Sequence, residues 1–318
     1  MLPESVEKPL ILVVGPTAVG KSNFAIHLAE RIRGEIISAD SRTFYRGMNI
    51  GTAKPSKSEM KRVPHHLIDI SDPDKLINLN IYQKLVEKSI NDIHLRGNIP
   101  ILVGGSGQYI QSILEGWQGP KGEPNPQLRS ILEIIGSQIG KIELHKKLSI
   151  LDPNAARNID PANLRRTVRA FEVIFTSGKK FSDQRMKVGC PYSTLTIGLI
   201  LERKELYKQA DYRIEKMMEN GLRGEVVELL DSGFDSELPS FSAIGYREMI
   251  MVEKNEISQE EAIELMKKRT RILVRRQSAW FKDEDPGIRW FVPGNETLEK
   301  VLTLVLDPKS WFRPSYKE

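Results

Sequence analysis

A single cysteine, Cys190, occurs in 318 residues. That excludes an internal disulfide framework and any cysteine-based metal site. Long apolar runs are missing too. The longest near the N-terminus, Leu10 to Val14, is far too short to span a bilayer. Glu4 and Glu7 precede it, which makes it a poor secretory signal. A cytoplasmic location with no membrane partner is expected. Nor does one sign of charge dominate: 47 Lys and Arg face 42 Asp and Glu, a net +5. Such a balance does not by itself argue for nucleic acid; placement matters more than the sum. There is no internal repeat and no low-complexity tract. With 40% hydrophobic and 28% charged residues, the composition is that of a globular protein. The length suffices for one large core, or for a core domain with a smaller insert.

The N-terminal third alternates strand and helix patterns. Leu10–Val14 and Ile99–Val103 are continuous apolar runs, as expected of strands buried on both faces. Glu35–Ser38 is a third, shorter strand. Helical spacing follows the first run (Phe24, Ile26, Leu28, Ala29, Ile32) and recurs from Ile81 to Leu95 (Leu85, Val86, Ile90, Ile93). This alternation predicts an α/β fold with a parallel sheet flanked by helices. At Gly119 the texture changes: GPKGEPNPQ is rich in Gly and Pro and predicts a linker. From Leu128 to about Phe181 the pattern is helical and basic, and Leu195–Leu201 returns to a core strand. The expected organisation is an α/β core over 1–119 and 194–318, with an all-helical insertion over 120–193. Further helices are expected near 203–219, 222–231, 245–253 and 258–282.

Residues 15–22 are GPTAVGKS, a match to G-x-x-x-x-G-K-[ST] placed between a buried strand and an amphipathic helix, the context that motif requires. Gly15 and Gly20 let the backbone of Thr17, Ala18 and Val19 fold around an anion, with the helix N-terminus adding partial positive charge. Lys21 would neutralise phosphate oxygens, and Ser22 would ligate a Mg²⁺ ion shared with them. The motif specifies a di- or triphosphate and does not by itself specify ATP. Asp40 follows the Glu35 strand. In a parallel sheet, ligands bind beyond the carboxyl ends of strands, so Asp40, the phosphate loop and Gly104–Gly105 are expected to converge on one crevice. Asp40 there could hold Mg²⁺, cap a turn or accept a proton. Arg42, Arg46 and Lys54 look like anion contacts.

Several motifs then occur in order: GPTAVGKS, SADSRTFYRGMNIGTAKP (38–55), PHHLIDI (64–70), ILVGGSGQYI (101–110), AIGYRE (243–248) and RRQSAWF (275–281). Together, over nearly the whole chain, they resemble the bacterial tRNA dimethylallyltransferases. The resemblance implies a P-loop NTPase-like fold with unusual chemistry. The phosphate loop binds the diphosphate of dimethylallyl diphosphate, and the exocyclic amine of the adenosine 3′ to the tRNA anticodon attacks the prenyl carbon. It implies Asp40 as general base, Ser106 in place of a usual Thr near the amine, and Arg213 on the diphosphate. It implies tRNA contacts at Asp40, Ser41, Arg42 and Thr43; at Asn163, Leu164, Arg165, Arg166 and Thr167; at Ser242, Gly245, Tyr246 and Arg247; and at Arg275, Arg276, Gln277 and Lys282. A monomer is implied as well. The chain departs from the family pattern at Gln108, Gln209 and Leu273, and lacks the C-terminal zinc finger of eukaryotic members.

The charge pattern fits such a partner. Lys267, Arg271 and Arg275 recur every fourth residue, a stripe on one helix face. Arg165, Arg166 and Arg169 cluster in the insert. His65 and His66 do not suggest a metal, because adjacent residues of a strand face opposite ways. Cys190 is expected to pack, and Trp280 and Phe281 to dock a helix end. On the residues alone, a P-loop kinase with the insert arginines as a lid comes first, and an RNA-binding nucleotide switch is a further alternative. The resemblance reverses that order.

Overall fold

The computed structural model describes residues 5–120, 125–184, 186–282 and 284–313. Two compact units emerge. The first joins the described residues up to Leu114 to those from Cys190 onward; the second is Glu115–Gly189. In chain order the elements are β1 (Pro9–Val14), α1 (Lys21–Ile32), β2 (Gly34–Ser38), α2 (Lys57–Arg62), β3 (His65–His66), α3 (Leu79–Leu95), β4 (Ile99–Gly104) and α4 (Gly107–Leu114). Then come β5 (Trp117–Gln118), α5 (Pro126–Ile139), α6 (Lys141–Leu151), α7 (Pro153–Asn158), α8 (Leu164–Ser177) and β6 (Met186–Lys187). The last are β7 (Ser193–Leu199), α9 (Arg203–Glu219), α10 (Leu222–Asp231), α11 (Tyr246–Glu253), α12 (Gln259–Trp280), β8 (Ile288–Phe291) and α13 (Asn295–Leu306).

The first unit is built on a six-stranded sheet of order β3-β2-β4-β1-β7-β8, parallel at every pairing. From β1 the chain builds one side through β2, β3 and β4 and the other through β7 and β8. Strand alternation divides the apolar side chains between two cores. Ile11 and Val13 of β1 face the core shared with α1 and α13, alongside Phe24, Leu28, Val301 and Val305. Leu10, Leu12 and Val14 face the core under α3 and α4, with Tyr82, Val86, Ile90 and Ile110. Helices α9 to α12 enclose a third core that includes Met48, Tyr246 and Met266. Helix α12 opens with a capping box between Ser258 and Glu261 and buries Ala262, Met266, Thr270 and Val274, one residue in four. One face is therefore committed to packing.

The second unit packs α5 to α8 around Leu132, Leu144, Leu148, Val168 and Phe171. An antiparallel ribbon pairs Trp117 with Lys187 and Gln118 with Met186. This pairing sets the unit's limits slightly ahead of the 120–193 expected from the linker. Of that linker, residues 121–124 lie outside the described residues; α5 begins at Pro126, capped by Asn125. The sequence pattern gave no expectation of α2, β8 or α13, while the strand-like reading of His65 and His66 matches β3.

A buried carboxylate fastens β2 to its neighbours. Glu35 accepts from Arg96 Nη2 at 2.7 Å, Asn98 Nδ2 at 2.7 Å and His66 Nε2 at 2.6 Å. Burial alone would raise its pKa, yet the donors from Arg96, Asn98 and His66 outweigh burial and hold it down at about 2. Because the folded value lies below the unfolded one, the stabilisation is complete above the ordinary Glu range and is lost as pH falls toward about 2. Replacing Glu35 by Gln should cost about 3 kcal/mol at neutral pH. Urea midpoints of the two proteins should approach one another at acid pH. A gap of equal size at pH 7 and near pH 3 would refute the ionised network.

Candidate active site

The carboxyl ends of β1, β2 and β4 open onto a cavity of about 1260 Å³. Its floor is the turn from β1 into α1. Of the phosphate-loop residues, Thr17, Ala18, Gly20, Lys21 and Ser22 line the cavity; Gly15 and Val19 do not. The Val19 side chain is in the core, so only its backbone is available. Gly20 caps α1 without a side-chain bond, which leaves the first N–H groups of a 12-residue helix free of a side-chain cap and biased toward an anion.

Asp40 and Arg213 share this cavity. Asp40 Oδ1 accepts from Arg42 N–H at 2.9 Å, so the acid caps its own turn while lining the crevice. Arg213 reaches in from α9, donating to Thr17 Oγ1 at 3.4 Å and Thr52 O at 3.3 Å. Burial pushes Lys21 down to about 7; Asp40 opposes the shift and Arg213 adds to it. Burial also lowers Arg213, against the pull of Asp40, but a guanidinium remains charged. The Lys21 ammonium donates to Pro16 O at 2.6 Å. Gln209, Tyr212 and Lys216 of α9 continue the wall. Ser106 is half-buried at the start of α4, where its carbonyl accepts from Tyr109 N–H; it is not part of the cavity lining.

A cation fits this corner. The Ser22 hydroxyl and the Asp40 carboxylate are hard oxygen donors suited to Mg²⁺, which takes few protein ligands and completes its shell from phosphates and water. No group of three or more His, Cys, Asp or Glu able to hold a metal occurs among the described residues. His65 and His66 are used internally, on Val63 O and Glu35.

Arg42, Arg46 and Lys54, expected as anion contacts, each have partners within the fold, although Arg46 is exposed and Arg46 and Lys54 both line the cavity. Lys54 is almost fully buried and donates to Tyr45 O, Asn49 Oδ1 and Asp69 Oδ1. Arg46 pairs with Asp72 at 2.8 Å. Arg42 donates to Pro239 O, Ser240 O and Ser242 Oγ. The loop after β2 is thus pinned to the segment before α11. A second pin is Glu225 of α10, which accepts from Asn49 and Ile50 N–H and from the Tyr246 hydroxyl at 2.5 Å. No sequence signal marked Glu225. Phe44, Tyr82 and Tyr109 stack, with 4.2 Å between the last two ring centroids, and hold the same loop to α4.

The residues implied as RNA contacts divide by exposure. Tyr246, Thr167 and Gly245 are buried, and Thr43 is buried with its hydroxyl on Asp40 O. The side chains of Tyr246, Thr167 and Thr43 brace the fold rather than face solvent. Ser41 and Leu164 are half-buried, and Asn163 caps α8. Arg165 and Arg166 on the second unit are exposed, as are Ser242, Arg247, Arg275, Arg276 and Lys282 on the first. Within the stripe on α12, Lys267 pairs with Glu215 and Glu264, and Arg271 with Asp211, so these two bind α12 to its neighbours. Arg169 pairs with buried Glu172. Gln277 is half-buried in the crevice wall, its Oε1 accepting from Thr17 N–H at 2.7 Å. Cys190 and Phe281 are core residues, and the Trp280 ring lies against Gly107.

The family model described as IPP transferase matches residues 43–284. A tRNA dimethylallyltransferase of Roseiflexus sp. (strain RS-1) is 48% identical over 86% of this chain and 90% of the relative. One of Bacillus pumilus (strain SAFR-032) is 42% identical over 90% of each. Among solved structures, the full-length tRNA isopentenylpyrophosphate transferase of Bacillus halodurans shares 38% identity at a TM-score of 0.70, covering 96% of this chain and 98% of that one. A eukaryotic dimethylallyltransferase acting on tRNA shares 27% identity at a TM-score of 0.83, covering 98% and 82%. The sheet order, the phosphate loop and these matches agree, and the chain belongs to the IPP transferase family.

Proposed function

We propose that this protein transfers a dimethylallyl group from dimethylallyl diphosphate to the N6 amine of the adenosine 3′-adjacent to the tRNA anticodon, releasing diphosphate. One observation carries the reading: the Asp40 carboxylate shares a crevice with an anion cradle made of the phosphate loop, Lys21 and Arg213. The relatives' names supply the substrates.

The reaction needs little more than that pair. The adenine amine is a poor nucleophile because its lone pair is delocalised, but its N–H turns acidic as the bond to carbon forms. Asp40 takes that proton. The C–O bond breaks, and its electron pair stays on the diphosphate. Lys21, Arg213 and the loop N–H groups neutralise the growing charge. Ser22 would hold a Mg²⁺ ion, which would supply further charge neutralisation at the diphosphate. The Ser106 hydroxyl orients the amine at the end of β4. The target base must leave its stack in the anticodon loop, which costs a few kcal/mol. Exposed Arg165, Arg166, Arg247, Arg275, Arg276 and Lys282 offset that cost by binding RNA backbone. The second unit acts as a tRNA-contacting insertion.

Asp40→Asn retains a carbonyl oxygen for the Arg42 cap but cannot take a proton. Turnover should fall by about 10²–10⁴ with donor binding intact; near-normal turnover removes Asp40 from the role of base. Lys21, at about 7 when the cradle is empty, should be driven to its charged form by the diphosphate. Below that pH the ammonium already exists; above it, binding draws in a proton. The ester's own last ionisation lies at about 6, so calorimetry at pH 8 in buffers of different ionisation enthalpy should register proton uptake on donor binding. No uptake would mean that Lys21 stays charged in the empty site. For RNA, replacing Arg275 and Arg276 by Ala should lower the slope of log affinity against log salt by about 1–2. Arg271→Ala should instead lower the melting temperature. An unchanged slope in the double variant would place the RNA elsewhere.

A further inference from the structure

We propose that Gln277 donates a hydrogen bond to the diphosphate, and so serves the donor substrate rather than the RNA. This inference rests on the prenyl-transfer reading above. Its starting point is the orientation of one carboxamide. Gln277 Oε1 accepts from Thr17 N–H at 2.7 Å. A backbone N–H can only donate, so the oxygen faces Thr17 N–H and the nitrogen diverges from it across the amide carbon. That direction is the end of β4. A Cβ on Gly105 would lie 2.3 Å from Gln277 Nε2, so Gly105 leaves the room this amide occupies. Nε2 makes no hydrogen bond among the described residues. Gln277, Gly105, Thr17, Lys21 and Arg213 all line the one crevice.

An uncharged pair of N–H donors is therefore held in fixed orientation beside the anion cradle. When the C–O bond to the prenyl carbon breaks, the electron pair passes to the diphosphate oxygen. The new N–C bond forms at the amine, and the amine proton goes to Asp40. Gln277 N–H stabilises the oxygen that gains charge, without adding a fixed charge to a pocket already holding Lys21 and Arg213. The RNA contact implied by resemblance falls instead to Arg275 and Arg276, exposed on the same turn of α12.

Two variants separate the possibilities. Gln277→Glu keeps an acceptor for Thr17 N–H but turns the donor into a carboxylate facing the diphosphate. Gln277→Leu removes both bonds. Steady-state transfer would be measured with dimethylallyl diphosphate and unmodified tRNA, with melting temperatures alongside. Gln277→Glu should melt like the wild type and lose about 10²-fold or more of kcat, falling below Gln277→Leu, while the KM for tRNA holds. Wild-type turnover in Gln277→Glu would make the residue only a brace for the loop and overturn the proposal. So would a defect confined to the KM for tRNA. Failure of the wild-type protein to label tRNA would remove the prenyl-transfer reading itself. Should Gln277→Leu not fold, the Glu variant decides alone.

Discussion

At the exit of β1 the chain runs so close to β7 that Gly15 has no space for a side chain. A Cβ there would lie 2.4 Å from Leu199 O, and the residue's φ of 141° is one that L side chains rarely adopt. This close approach lets the chain turn at once from an interior strand of the sheet into α1, which leaves the helix N-terminus and Lys21 at the mouth of the sheet. The crevice depends on it. Asp40 and Gly104–Gly105 follow strands paired in register with β1 or with its neighbour, such as Leu12 with Leu102 and Ile37 with Leu102. Parallel pairing then brings acid, glycine turn and anion cradle to the same level.

Charge in this protein does two kinds of work. Buried acids recruit cations for the fold: Glu35 takes Arg96, Glu172 takes Arg129 and Arg169, and Glu248 takes Arg269. Each such acid would be costly if left alone. Lys21 and Arg213 are buried in the crevice without such an acid, while Arg165, Arg166, Arg275 and Arg276 stay exposed where RNA contact is proposed. A net charge of +5 records neither use. Lys54, Arg169 and Arg271 look available to a ligand in the sequence, but Asp69, Glu172 and Asp211 already hold them.

The sheet was legible because β1, β4 and β7 are buried on both faces and carry uninterrupted apolar runs. The phosphate loop was legible because anion binding by backbone demands glycines at fixed spacing. Other features left no local trace. Helix α2 has six residues and buries none of them, so no apolar period marks it. Lys54 and Arg42 look alike on paper, and only the folded neighbours Asp69 and Ser242 show that both are internal ties. Gln277 sits in a basic, RNA-like string, and its place beside Thr17 follows from the path of α12. Tyr246 lies in an equally family-specific string, yet its hydroxyl serves Glu225. A recurring string can mark a brace as readily as a contact.

The bond between Thr17 and Gln277 joins residues 260 apart in sequence, and the Glu225 clasp on Asn49 closes 176. Contacts of such separation form late, because the chain must lose loop entropy before they return anything. During synthesis the phosphate loop emerges 260 residues ahead of its partner on α12. An early folded portion would thus own the P-loop sequence without a finished crevice. Ligand affinity is acquired when the last long helix docks, which makes substrate binding a measure of complete folding rather than of the motif's presence.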